Sequence, residues 1–265
     1  MIKLIATDVD GTLVKDASPS IYPEMIEMIK QLREKDIIFC IASGRQYSSM
    51  EKMFKEVKDD LIFIADNGAH VKCRGNDLHV AKMNPEYLKE LVEELRTYQS
   101  QGCEVICEGP GMTYTESKNP EFIEFIETQY RCDYKQVDDV LTEGKDLIKA
   151  SIFRRPSIRD IGEGVLVPEW KDRLKATMAG EDWVDFMDPS VDKGHALEFI
   201  QKFFGIKPEE TMVFGDNNND IGMLKRAAES YAVETAPDVV KAAANHIAPS
   251  WKDKGVYQVL KTLVE

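Results

Sequence analysis

The chain has 265 residues, of which 43% are apolar and 31% charged, and its 34 basic and 47 acidic residues give a formal net charge of −13. That length supports one large domain or two smaller ones, and the apolar content excludes a disordered chain. The acidic surplus, with no basic cluster to offset it, excludes nucleic acid and anionic membrane as partners, and no apolar run approaches the roughly 18 residues of a membrane span.

The first apolar stretch, "KLIATD" (3–8), reads as a buried strand that runs into two carboxylates, Asp8 and Asp10. It is too short and too soon charged for a secretory signal, so the expectation is a cytoplasmic protein. Residues 23–35 open with Pro23 and place Met25, Ile29 and Leu32 on one helical face. "IIFCIA" (37–42) is the next strand, a helical stretch lies near 46–58, and "LIFIA" (61–65) is the third strand, ending at "DNGA". This alternation predicts an α/β fold, a doubly wound, Rossmann-like parallel sheet whose ligands bind at the carboxyl ends of its strands. Asp8, Ser43 and Asn67 each fall at that end.

The pattern changes from about residue 83. A helix over 85–99 precedes strand-like pieces near 103–108 and 112–116, a helix begins at Asn119–Pro120, and a strand covers 147–153. A helix near Pro168 and a strand over 183–187 complete this stretch. The reading is a smaller α+β domain over 83–187 inserted into a core made of 1–82 and 188–265. After it the α/β rhythm resumes with a helix carrying Leu197, Ile200 and Phe204, a strand over 211–215, and a helix from about 221. A strand-like 230–233, a short helix after Pro237 and a final helix over 256–264 follow.

The five cysteines (Cys40, Cys73, Cys103, Cys107, Cys132) are scattered and complete no zinc site, so they read as reduced thiols. Polar clusters at strand ends and helix starts carry more information. In order they are Asp8 with Asp10, Ser43–Gly44, Lys193–Gly194, and Asp216 with Asn219 and Asp220. Charges are costly to bury unless paired or bound to metal. A Ca²⁺ loop of the helix–loop–helix type would need Gly at its sixth position and Glu at its twelfth. Those places hold Leu13 and Pro19 counted from Asp8, and Ile221 and Ala227 counted from Asp216.

In these motifs, "DVDGT" (8–12), "ASGR" (42–45), "DKG" (192–194) and "GDNNND" (215–220), the sequence closely resembles the haloacid dehalogenase superfamily of phosphotransferases. With its insert, "NGA" (67–69) and "MNP" (83–85), it is similar to the Cof-type sugar phosphatases, whose α+β insert is a cap. The resemblance implies a Mg²⁺-dependent phosphatase of a small phosphorylated metabolite, a sugar phosphate in class, working through an aspartyl phosphate. Asp8 is then the nucleophile and Asp10 the general acid and base. Asp216 is a Mg²⁺ ligand, Asp220 a further ligand or its support, and Asp8 and the Asp10 carbonyl complete the protein's share. Ser43, Lys193 and Asn219 are implied to hold the phosphoryl oxygens, with Gly11, Thr12, Gly44 and Arg45 beside phosphate or substrate. The cap is expected to close over the sheet's carboxyl edge and choose the substrate. Asp192 departs from the small polar residue usual before the lysine, and it is expected to orient Lys193 or weaken its pull on phosphate. A phosphomutase on a sugar phosphate and a non-catalytic phosphometabolite sensor remain alternatives. The motifs do not separate the mutase from the phosphatase, whereas an intact nucleophile and acid argue against the sensor.

Overall fold

The computed structural model describes residues 1–130 and 132–264. Contacts divide the chain into two compact units, Met1–His79 with Asp192–Glu265, and Val80–Val191.

The first unit is built on an eight-stranded sheet, and its α/β architecture is the one the sequence predicts. Strands β1 (Leu4–Thr7), β2 (Ile38–Ala42) and β3 (Leu61–Ala65) are followed by β4 (His70–Cys73) and β5 (Asn76–Val80). The second unit contributes β6 (Glu104–Gly109), β7 (Met112–Thr115), β8 (Tyr134–Gln136), β9 (Lys149–Phe153), β10 (Lys175–Ala179) and β11 (Trp183–Met187). The chain returns to the first sheet with β12 (Thr211–Gly215), β13 (Glu229–Val233) and β14 (His246–Ala248). The order in the first sheet is β14-β13-β12-β1-β2-β3-β4-β5, parallel from β14 to β3, with β4 antiparallel to β3.

Alternation within these strands explains the two layers of core. Ile5, Phe39, Ile41, Phe63 and Phe214 pack on one face with Met25, Ile29 and Leu32 of helix Pro23–Glu34 and with Leu260 of helix Gly255–Val264. Their neighbours in sequence, Leu4, Ala6, Cys40, Ile62, Ile64 and Val213, pack on the other face with Leu197 and Ile200 of helix Lys193–Phe204. Both faces are buried, as a parallel sheet requires.

The second unit is a six-stranded sheet of order β10-β11-β9-β6-β7-β8. Val105, Cys107, Ala150, Ile152 and Val184 pack against Leu91 and Leu95 of helix Pro85–Thr97. The opposite face carries an aromatic cluster of Phe122, Phe153 and Trp183. It also carries a buried cross-strand ion pair, Lys149 Nζ to Glu108 Oε2 at 2.9 Å. Helices Pro85–Thr97 and Pro120–Phe125 both start on an Asn-Pro pair. The Asn84 side chain accepts from the Glu86 and Tyr87 amides and that of Asn119 from the Glu121 amide, while Pro sits where no amide is needed.

Several local expectations are corrected. The helix near 46–58 is confined to Tyr47–Met53, because Phe54 and Val57 turn into the core and are buried. The segment around Pro168 is a composite of Arg159–Ile161, a π-helical Gly162–Leu166 and Val167–Trp170. Pro168 has no amide to close the regular turn before it. Strands β4, β5, β8, β10 and β14 are additional to the sequence reading. All five cysteines are free thiols, and Cys40, Cys103, Cys107 and Cys132 are buried. No helix among the described residues is long and apolar enough to cross a membrane.

His70 at the start of β4 is fully buried. Its Nε2 lies 2.7 Å from Asp77 Oδ1, and its Nδ1 has no hydrogen-bond partner. Burial pushes its pKa below the usual 6.5, and Asp77 offsets this only in part. The unfolded chain therefore takes up this proton first as pH falls. The contribution of neutral His70 is complete above pH 6.5 and is lost progressively below it. In urea melts, a His70→Gln variant is expected to lose less of its own stability between neutral pH and about pH 5.5 than the wild type does.

Candidate functional site

The parallel order β12-β1-β2-β3 sends four loops from the same edge of the sheet, and three of them carry the predicted motif residues. The loop after β1 is tied down at once, because the Asp8 amide donates to the Phe214 carbonyl of β12 at 3.0 Å. Gly11 follows with a φ of +82°, and a Cβ built there would lie 2.4 Å from Asp216 Oδ2. Only glycine permits this approach. Thr12 donates through Oγ1 to Asp216 Oδ1 at 3.0 Å, so two residues of the first motif meet the fourth.

The loop after β12 is wound around Asp220. Its Oδ2 accepts from the amides of Asp216 and Asn217, both at 3.0 Å, and its Oδ1 accepts from Lys193 Nζ at 2.7 Å. Lys193, the first residue of its helix, also donates to Asp8 Oδ1 at 2.6 Å. Asp192 caps that helix by accepting from the amides of Gly194 and His195 at 2.8 and 3.2 Å. The Asp192 carboxylate thus has a capping role at the start of the helix that carries Lys193. Gly194 is required because a Cβ there would lie 2.4 Å from the main chain of Gly222. His195 is exposed on the helix surface.

Ser43 follows β2 and is buried, with its Oγ accepting from the Arg45 amide at 3.1 Å. The Ser43 carbonyl accepts from the Asn67 amide at 3.0 Å, and a Cβ on Gly44 would lie 3.3 Å from the Asn67 side-chain amide. Asn67 is left-handed, with φ +55°, and its Oδ1 accepts from Asn219 Nδ2 at 2.8 Å. It joins the second and fourth motifs and is absent from the site residues predicted by sequence. "DNGA" directly after a buried strand was its available signal. The carboxylate of Asp10 lies outside the Asp8, Asp216 and Asp220 group and bonds to Arg45 instead.

Burial is the largest influence on Asp8 and pushes its carboxyl well above the usual range; Lys193 opposes this, while Asp220 and Asp216 add to it. Asp216 is raised by burial first and by Asp220 second. Burial works against the Lys193 ammonium, but Asp220 and Asp8 outweigh it, so its pKa stands above the usual lysine range. Three carboxylates around one ammonium leave two negative charges uncompensated, which is what a divalent cation corrects. One oxygen from each of Asp8, Asp216 and Asp220 lies within 4.8 Å of the others. An all-oxygen donor set suits Mg²⁺ or another hard ion. The residues present fit such an ion.

A family model described as haloacid dehalogenase-like hydrolase matches residues 5–260. The chain belongs to this family. It is 29% identical over 264 residues to the 5-amino-6-(5-phospho-D-ribitylamino)uracil phosphatase YbjI of Escherichia coli K12, covering 100% of this chain and 97% of that one. A solved structure from Eubacterium rectale matches with a TM-score of 0.92 and 35% identity over 99% of both chains. The fold is also that of the subclass IIB sugar phosphatase BT4131, with a TM-score of 0.77 and 24% identity over 98% of each chain. This haloacid dehalogenase-like chain is a phosphoric monoester hydrolase of small phosphorylated compounds.

Asp220→Ala would leave the buried Lys193 ammonium with one carboxylate, Asp8, in place of two and release two main-chain amides, so a loss of about 3–5 kcal/mol in urea denaturation is expected. Asp220→Asn, which keeps an acceptor for the amides, is expected to lose less.

Proposed function

We propose that this phosphatase is Mg²⁺-dependent and hydrolyses a sugar phosphate through a phosphoryl group carried on Asp8. The observation that carries the reading is the convergence of Asp8, Asp216 and Asp220 on the buried Lys193 ammonium. Mg²⁺, held by Asp8, Asp216 and the Asp10 carbonyl with Asp220 in support, would supply the positive charge that lets a phosphate dianion approach a carboxylate.

The remaining work falls to side chains. Phosphate-monoester hydrolysis has a very high uncatalysed barrier, and a carboxylate nucleophile divides it into two lower ones. Asp8 bonds to phosphorus as the ester oxygen departs with a proton from Asp10. A water then attacks the same phosphorus from the opposite side to Asp8, gives its proton to Asp10 and frees Asp8. Lys193 holds the Asp8 carboxylate in line and offsets charge on the phosphoryl oxygens. Ser43 Oγ, already accepting from the Arg45 amide, has its hydroxyl hydrogen left to donate to a phosphoryl oxygen. Asn219 is the second neutral donor, its side chain oriented by Asn67. Gly11 and Gly44 keep the main chain near phosphate free of bulk, and Thr12 holds Asp216 through its hydroxyl.

The substrate class follows the sequence resemblance and is supported by YbjI, whose named substrate carries its phosphate on a polyhydroxylated ribityl chain. Selectivity is assigned to the α+β unit, the cap of the sequence reading.

With a panel of sugar phosphates and Mg²⁺, free phosphate is the expected product. Asp8→Asn is expected to cut turnover at least about 10³-fold, since it removes the nucleophile. Lys193→Ala should be severely impaired, and chelation with EDTA should abolish turnover until Mg²⁺ is restored. Wild-type rates in both variants would refute the mechanism, and accumulation of an isomeric phosphate in place of free phosphate would make the protein a mutase.

A further inference from the structure

Arg45, which the sequence places beside the substrate, is engaged within the chain. Its Nη2 donates to Asp10 Oδ1 at 2.6 Å and its Nε donates to Asp10 Oδ2 at 2.7 Å. The guanidinium is planar and its donors form a rigid fork, so two such bonds fix the orientation of a carboxylate as well as its place. Arg45 is itself fixed. Its amide donates to Ser43 Oγ at 3.1 Å, its carbonyl accepts from the Asp66 amide at 3.0 Å, and its Nη1 lies 3.8 Å from Met53 Sδ.

A third donor completes the Asp10 environment, the Ala17 amide, 2.9 Å from Oδ1. Each carboxylate oxygen offers two lone pairs. Oδ1 receives two donors and is saturated, while Oδ2 receives one and keeps a place for a proton.

We infer that Arg45 is a positioning residue for the acid–base steps, and that Asp10 carries its proton on Oδ2. The inference rests on the proposed roles of Asp8 as nucleophile and Asp10 as acid and base. In the first half-reaction the bond from phosphorus to the leaving oxygen breaks as the bond to Asp8 forms, and that oxygen takes the proton from Oδ2. In the second, the water oxygen bonds to phosphorus, its proton passes to Oδ2 and the bond to Asp8 breaks. Asp10 ends protonated as it began, and Arg45 exchanges no proton. Its contribution is to hold one carboxylate orientation through both halves. Because the Arg45 amide is tied to Ser43 Oγ, the acid is registered to the proposed phosphate donor through three residues of main chain.

The test is the dependence of kcat/KM on the leaving group, measured with 4-nitrophenyl, phenyl and methyl phosphate in the presence of Mg²⁺. Nitrophenolate departs without a proton, whereas methoxide needs one. General acid catalysis supplies about 10²–10⁴-fold, so Arg45→Ala is expected to cost about 10- to 100-fold with methyl phosphate and less than about 3-fold with 4-nitrophenyl phosphate. Arg45→Lys, with one point donor in place of a fork, should show the same bias more weakly. In an Asp10→Asn background, Arg45→Ala should add nothing. An equal loss for all three esters, expressed in KM, would make Arg45 a substrate-binding residue and overturn the inference. Asp10→Asn separates the two levels of the argument. If it shows no leaving-group bias, the acid–base reading itself fails; if it shows the bias and the Arg45 variants do not, only the role of Arg45 falls. Should Arg45→Ala fail to fold by urea denaturation, Arg45→Lys decides, and an unbiased Arg45→Lys overturns the inference.

Discussion

The buried ammonium of Lys193 is the contact on which the site depends. It bonds to Asp8 and to Asp220, carboxylates that leave from β1 and β12, and so fastens two strand-end loops to the start of a helix. An unpaired ammonium in that place would be costly, and so would either carboxylate without it. The buried core and the charged cluster therefore depend on each other for stability. Asp220 adds the second constraint by accepting two amides of its own loop, which shapes the turn that presents Asp216. The same carboxylate thus serves the main chain and the lysine, a division that favours Asp8 and Asp216 as the freer oxygen donors.

Close approach of main chain is the other condition. Gly11 lies against Asp216, Gly215 against Asp220, and Gly194 against Gly222, each with room for no additional carbon. Charged groups from distant parts of the sequence can meet only because the backbone between them carries so little bulk. Lys193, Asp8 and Asp216 consequently sit where main-chain geometry puts them, with little left to side-chain rearrangement, which is the kind of preorganisation that charge stabilisation requires.

The parallel strands were readable because they are continuous apolar runs buried on both faces, and the site residues because they follow the end of such a run or, as with Lys193, open a helix. What escaped has local causes. The turn between β4 and β5 is Arg74–Gly75, both at positive φ, and Arg is an unusual residue for the first position of such a turn. β10 and β14 are short and partly exposed, so their alternation is weak. The linkage of Asn67 to Asn219 and of Arg45 to Asp10 joins residues remote in sequence, and spacing carries no trace of it. Asp192 was legible as an acidic residue beside a lysine, whereas its capping of the helix through the Gly194 and His195 amides, a main-chain requirement, was not.

The concealed thiols give the molecule an internal record of its own opening. Cys40 lies in β2 of the first unit and Cys107 in β6 of the second, and burial raises both thiol pKa values. Thiolate is the reactive form, so neither sulfur meets an alkylating reagent while its sheet is intact. Each becomes reactive only when its own strands separate. Mass-resolved alkylation at these two positions would then time the fraying of the two sheets independently, with no cysteine engineered and no residue of the charged cluster replaced.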